Sequence, residues 1–387
     1  MDLGRKISYS AKVLPSYAWQ RLTRSAPKGK VHLVIALADH FEPAIVPYDG
    51  KARVPYDEQE RRLEQWCNEY PKAISAWRDH DGYAFVHTYF YPAEQYDRTL
   101  MDRLAYHCEQ GWGEIEVHLH HGVGAPDTVE NVRRQLTEFR DALAFQHGCL
   151  SYDGDSEMPR YAFVHGNFAL ANSNGGRGCG VDSEMQILAE TGCYADLTLP
   201  AATFHRAQTK KINSLYECTL PLDQRAPQRQ GRDLRSGHSA QIFPVMVQGP
   251  LQVDFSDGIG IENAAITGTN PLSLHRLKMW KQAAICVQGR PDWLFIKLHC
   301  HSMDPRQSDA VLGTPMQAFL QDLVQGAGER NEILHFVTAR EMVNIIFAAC
   351  DARGGSPGEY RDYRLKRRPP AQMANHQPDT TQQVLRG

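Results

Sequence analysis

The sequence predicts an α/β fold whose largely parallel sheet closes, or nearly closes, into a (β/α) barrel. Three observations carry that expectation. Almost continuously apolar runs recur along the chain, as strands buried on both faces require. Segments with apolar residues at helical spacing lie between them, and strands alternating with helices argue for parallel pairing. Histidines and carboxylates gather where the strands end, which is where parallel α/β folds take their ligands.

Taken in order, residues 1–30 read as a basic N-terminal arm, dense in charge from Lys6 to Lys30. The first strand is Val31 to Leu37, and similar runs follow at 84–90, 113–119, 161–164, 194–199 and 293–298. Helical spacing spans Asp57 to Ala76 and Thr128 to Phe145, the second behind an Asp127 or Thr128 cap. Asp182 to Gly192 opens on a capping residue and ends on glycine, which marks a third helix. Residues 31–350 thus form the expected barrel. Within it, 221–239 carries Arg225, Arg229, Arg232 and Arg235 among Gln, Gly and Pro, and reads as a long exposed loop. From Asp351 to Gly387 the chain is rich in Gly, Pro and Arg, and reads as a loosely ordered tail.

Composition narrows the function. The 387 residues hold 42 Lys+Arg against 45 Asp+Glu, a formal charge of −3, so nucleic acid is not an expected partner. No apolar run approaches the roughly 18 residues that cross a bilayer, and the basic start lacks a secretory apolar core. Nine Cys are scattered with no CxxC pair, which argues against a disulfide framework and for a reduced, cytoplasmic protein. No oligomeric state is specified.

The 17 His carry the strongest signal. In Glu114-Ile-Glu-Val-His-Leu-His-His-Gly122, strand alternation puts Glu114, Glu116, His118 and His120 on one face, and Ile115, Val117 and Leu119 on the other. Imidazoles two apart at a strand end can converge on one ion, and His121, where the chain turns, could replace His120. Asp39, after the first strand, could complete an Asp-His-His metal site; His40 and Glu42 are each a ligand, a partner that orients one, or a neighbour. His299 and His301 share one side of the last strand, where an imidazole suits proton donation near neutrality. Candidates for acid–base chemistry are therefore Asp39, Glu42, His299 and His301; candidates for the metal are Asp39, His40, His118, His120 and His121. In the loop after residue 164, His165 and Asn167 could position a substrate beside Gly166. Tyr91, with Tyr89 and Tyr96, could form a wall on which a sugar stacks.

The order of these motifs resembles the polysaccharide deacetylase family, the NodB-homology group of carbohydrate esterases. It is closer still to a bacterial branch of polysaccharide deacetylase-like proteins. The closer likeness rests on Asp39-His-Phe-Glu-Pro43, Thr88-Tyr-Phe-Tyr-Pro92, Cys179-Gly-Val-Asp-Ser-Glu184, Gly192-Cys-Tyr-Ala-Asp-Leu-Thr198 and Phe295-Ile-Lys-Leu-His299, within about Val31 to Ile346. The resemblance implies a distorted (β/α) barrel of the NodB-homology type with insertions. It also implies one divalent ion, usually Zn2+, held by an Asp and two His, and removal of an N-acetyl group from an amino sugar of a glycan. In that scheme an ion-activated water attacks the carbonyl, a separate Asp is the base, and a late His protonates the amine. Carried across, Asp39 falls in the acidic motif, His118 matches the first metal His, and His299 matches the acid. The chain departs where the family pairs two Asp, having Ala38-Asp39-His40. Gly122 stands where the second metal His usually lies, so His120 or His121 takes that role. His165-Gly-Asn167 replaces the family's Arg-Pro loop. Two other readings stand beside this one: a non-catalytic glycan- or metal-binding protein of the same fold, and a phosphoesterase, since Leu298-His-Cys-His-Ser302 is similar to the His-x-His motif of PHP enzymes.

Overall fold

The computed structural model describes residues 3–368, apart from 25, 26, 28, 48, 202–204, 257 and 259. Its centre is a ten-stranded sheet of β1 (Val31–His40), β2 (His87–Pro92), β3 (Gly113–Leu119), β4 (Tyr161–His165), β5 (Cys193–Asp196), β6 (Leu215–Cys218), β7 (Gly231–Asp233), β8 (Val245–Val247), β9 (Trp293–Cys300) and β10 (Glu332–Phe336). The order across the sheet is β7-β6-β8-β5-β4-β3-β2-β1-β9. From β8 through β5 and on to β9 every pairing is parallel; the antiparallel pairings are those of β6 with β8 and with β7. On its β2 side, β1 is shared. Leu37–His40 pair with β2, and Val31–Ile35 pair with β10. The expected parallel α/β sheet is present.

The helices are α1 (Leu3–Thr23), α2 (Tyr56–Ile74), α3 (Arg98–Glu109), α4 (Val129–Asp141), α5 (Glu184–Glu190), α6 (Leu274–Ala283), α7 (Ser308–Leu312), α8 (Thr314–Gln325) and α9 (Ala339–Cys350). Burial on both faces explains the unbroken apolar strands. Leu33, Ile35 and Leu37 of β1 pack with Ile115, Val117 and Leu119 of β3, under Trp66 and Tyr70 of α2 and Leu136 of α4. The alternate residues Val34, Ala36 and Ala38 pack with Val164 and Phe295, against Met342, Val343 and Ile346 of α9. The caps follow local chemistry: the Thr128 hydroxyl accepts the Asn131 amide, as expected for α4. The anticipated Asp182 cap is different, since that carboxylate takes the Asn172 side chain instead.

Three segments gain detail that the sequence did not show. Most of the basic arm is α1, whose Gln20 side chain donates to the Ile212 carbonyl. The segment 221–239 is mostly exposed, as expected of a loop, but it contains β7, which joins the sheet, and Pro227, Gln228 and Leu234 are buried. Two of its arginines have backbone targets: Arg225 donates to the Asn172 carbonyl and Arg229 to that of Ser173, while Arg232 meets the Glu217 carboxylate and Arg235 the Gln288 side chain. The first part of the tail is also packed. Leu365 is buried, 365–366 pair with 152–153, and Arg361 reaches Asp79, Asp81 and Glu341. Residues 369–387 lie outside the described residues. Among those that are described, no helix is long and apolar enough to cross a membrane.

Candidate metal centre

Parallel pairing brings the carboxyl ends of β9, β1, β2, β3 and β4 side by side, with Ala38 opposite His299, His40 opposite Phe90, and His118 opposite both Pro92 and Val164. Alternation then decides which side chains meet. His40 follows Val34, Ala36 and Ala38 onto the face covered by α9, and His118 and His299 come from β3 and β9. The His40 ring lies 4.8 Å from that of His118, 6.3 Å from His299 and 4.5 Å from His301, and His118 lies 4.6 Å from His120.

Glu42 is the carboxylate of this group. Its Oε1 is 3.7 Å from His118 Nε2 and 3.2 Å from His120 Nε2. Both imidazoles are oriented through their other nitrogen. His118 Nδ1 donates to the Val164 carbonyl at 2.8 Å, and His120 Nδ1 to Glu94 Oε1 at 2.8 Å. Each Nε2 is left with its lone pair directed inward, and the buried His118 Nε2 has no hydrogen-bond partner. That is how metal-binding histidines are fixed by their surroundings. The spacings also fit: tetrahedral bonds of about 2.0–2.1 Å set ligand atoms about 3.3–3.4 Å apart.

Electrostatics agree. Burial, with His120 next, lowers the His118 pKa, so its imidazole is neutral as a ligand must be. Burial opposes charge on Glu42, but the adjacent His118 and the hydrogen-bonded His301 outweigh it and hold the carboxyl well below its usual range. His120 is half-buried, which opposes its charge, yet Glu94 and Glu42 raise its pKa. Two carboxylates that favour a proton there would favour a cation in its place.

The remaining candidates divide. His301 joins the group through Nδ1, 2.9 Å from Glu42 Oε2. His40 and His299 each have a buried, unpartnered Nδ1, and burial pushes both pKa values well down. Asp39 does not meet His118 or His120 in this way. It follows Leu37 onto the opposite face, where it pairs with His87 Nδ1 at 2.9 Å and takes the Ser302 amide at 2.9 Å and the Ser302 hydroxyl. Glu42, two residues past the strand, stands where Asp39 was expected. His121 also turns away, its Nε2 lying 2.9 Å from Glu184 Oε1 and 3.1 Å from His165 Nε2. His165 is therefore occupied inside the protein, and its Nδ1 accepts the Asn167 amide at 3.2 Å. Asn167 keeps a buried, unpartnered Nδ2. Tyr91 is no sugar-stacking wall: it is fully buried, its hydroxyl donates to the Gln95 carbonyl, and its ring packs on Phe139 of α4.

Sequence reading missed Glu94, His87 and Ser302. Glu94 had a signal, as an acidic residue two positions past a buried strand. The pairing of Asp39 with His87 and Ser302 had none. No protein-family model, no curated protein and no solved structure matches the chain.

Proposed function

We propose that the protein is a metal-dependent hydrolase that removes an N-acetyl group from an amino sugar of a glycan, on a distorted (β/α) barrel of the NodB-homology type. The order of motifs supports the substrate class. Barrel closure is supported by contacts that draw β9 towards the far side of the sheet: Lys297 Nζ donates to the Leu197 carbonyl at 2.8 Å, and a Cβ on Gly249 would meet the Lys297 carbonyl.

The observation that carries the proposal is the convergence of His118 Nε2, His120 Nε2 and Glu42 Oε1, with both imidazole tautomers set by Val164 and Glu94. Two nitrogens and one carboxylate oxygen suit Zn2+ with a position left for substrate or water. A bound ion would polarise the amide carbonyl and lower the pKa of a water from 15.7 towards about 7. His301 suits the proton donor better than His299. Burial disfavours charge on His301, but Glu42 and Asp39 outweigh it and raise its pKa, and the side chain is one-third exposed at the mouth. His299, made neutral by burial, is a poor donor near neutrality. His40, equally neutral, offers an unpartnered Nδ1 to receive a proton from the attacking water.

One observation favours a second reading, a glycan- or metal-binding protein without turnover. Asp39, one of the two carboxylates named for acid–base chemistry, is committed to His87 and Ser302. The test is acetate release from N-acetylated oligosaccharides, with bound metal measured in parallel. Wild type should release acetate, His118→Ala should lose the ion and the activity, and His301→Ala should keep the ion and lose rate. Metal binding without acetate release favours the second reading, and equal release by wild type and His118→Ala removes the catalytic assignment.

A further inference from the structure

We infer a second, separate metal site, buried beneath the loops that follow β3 and β4, with His121, Cys179 and Glu184 as its ligands. It does not depend on the hydrolase reading. Donor atoms of these three residues and of His165 all lie within 4.8 Å of one another, and all four residues are buried. The measured separations are 2.9 Å from His121 Nε2 to Glu184 Oε1, 3.1 Å from His121 Nε2 to His165 Nε2, and 3.6 Å from His165 Nε2 to Glu184 Oε1. Cys179 Sγ is 3.4 Å from Glu184 Oε2. The three separations among His121, His165 and Glu184 Oε1 bracket the tetrahedral edge of about 3.3–3.4 Å that bonds of 2.0–2.1 Å impose, and the Cys179 sulfur lies within the same 4.8 Å group.

The surroundings favour a cation over a set of ordinary hydrogen bonds. His121 Nδ1 lies 3.2 Å from Asp127 Oδ2, an arrangement that turns Nε2 towards Glu184 as a ligand. Cys179 Sγ receives the amides of Asn172 and Val181, at 3.3 and 3.4 Å, donors that offset part of the burial and Glu184 charge pushing its thiol pKa up; a cation would reverse that balance. The Ala171 amide satisfies Glu184 Oε2, so Oε1 is free to face the cluster. Without an ion the group is frustrated. His165 Nδ1 accepts the Asn167 amide, so its hydrogen sits on Nε2 and points at His121 Nε2. If His121 carries a hydrogen there, two donors oppose each other; if it does not, its lone pair opposes Glu184 Oε1. An ion removes the second conflict by taking both lone pairs, giving up the hydrogen bond from His165 Nε2 to His121 Nε2, and Cys179 releases its thiol proton to solvent as it binds. His165 becomes a fourth ligand only by moving its hydrogen to Nδ1 and releasing the Asn167 amide.

Such a site would also anchor a glycine-rich loop, beside the backbone bonds from Gly178 to Gly122 and from Asp127 to Cys179. The stretch Asn174-Gly-Gly-Arg-Gly-Cys-Gly180 contains four glycines, costly to order and without side chains to pack, yet Cys179 at its end is fully buried. Ligation would fix that residue to β3 and α5 together.

The experiment is cobalt(II) loading of the full-length metal-free protein, with bound cobalt quantified and the near-ultraviolet thiolate-to-cobalt charge-transfer band recorded. Wild type should show the band and bind one ion more than Cys179→Ser, which should lack it. His118→Ala should lose the other ion and keep the band. Cys300→Ser should retain the band, separating this cluster from Cys300, which lies by Asp39 and His87. Because Cys179→Ser could unfold, Glu184→Gln provides a second variant, with lowered affinity and a shifted band expected. Absence of the band in wild type, its persistence in Cys179→Ser, or its loss in Cys300→Ser alone would overturn the inference.

Discussion

His118 gives its Nδ1 hydrogen to a backbone carbonyl and His120 gives its own to Glu94, so neighbouring imidazoles reach the same tautomer by different means. The carbonyl cannot be mutated away, but Glu94 can. Glu94→Gln should keep the fold and weaken metal binding about 10- to 100-fold, measured by competition with a chelator. Unchanged affinity would remove Glu94 from the site. Deeper in β3, Glu116 shows the opposite balance. Burial raises its pKa to about 8, against hydrogen bonds from the Tyr194 hydroxyl and the Ala162 amide. The folded protein therefore holds a proton that the unfolded chain, near 4.5, gives up. That contribution is intact below about pH 4.5 and is lost as pH rises through about 8, on the order of a few kcal/mol. Glu116→Gln should flatten this fall, read from urea midpoints at about pH 5 and about pH 8.5. An unaltered pH slope would mean that Glu116 is not protonated in the fold.

Elements with a local pattern were legible and those held by distant partners were not. β3 could be read because Ile115, Val117 and Leu119 alternate with Glu116 and His118 against two different layers. β6, β7 and β8 have only three or four residues each, too few to show a period. At the end of β1, alternation sends Asp39 and His40 to opposite faces, which naming both as ligands of one ion overlooked. Which carboxylate reaches the mouth depends on the turn at Phe41, and there the sequence is silent. The segment after α9 was misread for another reason. Its arginines look solvated by composition, but Arg361 binds Asp79 at 2.9 Å, Asp81 at 3.1 Å and Glu341 at 3.2 Å, while Arg340 binds Glu114 at 2.7 Å and Asp362 at 2.5 Å. No spacing rule links residue 361 to residue 79. Removing one member of such a buried network strands the others, at about 3–5 kcal/mol. Arg361→Ala should lower unfolding free energy by that amount, measured by urea denaturation, whereas a loss under about 1 kcal/mol, typical of surface pairs, would return the segment to the surface.

Across the whole molecule, the end of β3 is where two clusters share one stretch of backbone. His118 and His120 face the mouth, His121 faces Cys179 and Glu184, and Gly122 follows at once. Gly122 has φ +62°, and a Cβ there would lie 2.0 Å from the Cys179 carbonyl oxygen. Neither side can retreat easily. The Gly122 carbonyl accepts the Gly178 amide at 2.9 Å, and the Cys179 carbonyl accepts the Asp127 amide at 2.8 Å. Upstream, Glu94 holds the His120 amide at 3.2 Å. A methyl group at residue 122 must therefore displace the loop carrying Cys179, the turn carrying His120, or both. Gly122→Ala should lower stability by about 1–3 kcal/mol or more and weaken metal binding at Glu42, His118 and His120, although none of those ligands is altered. Gly328→Ala, where a Cβ meets nothing within 4 Å, is the matched control and should change neither. If Gly122→Ala loses stability but keeps full affinity at the mouth, the strain is absorbed on the Cys179 side and the two clusters act independently. If both properties fall together, one turn of backbone holds them in register.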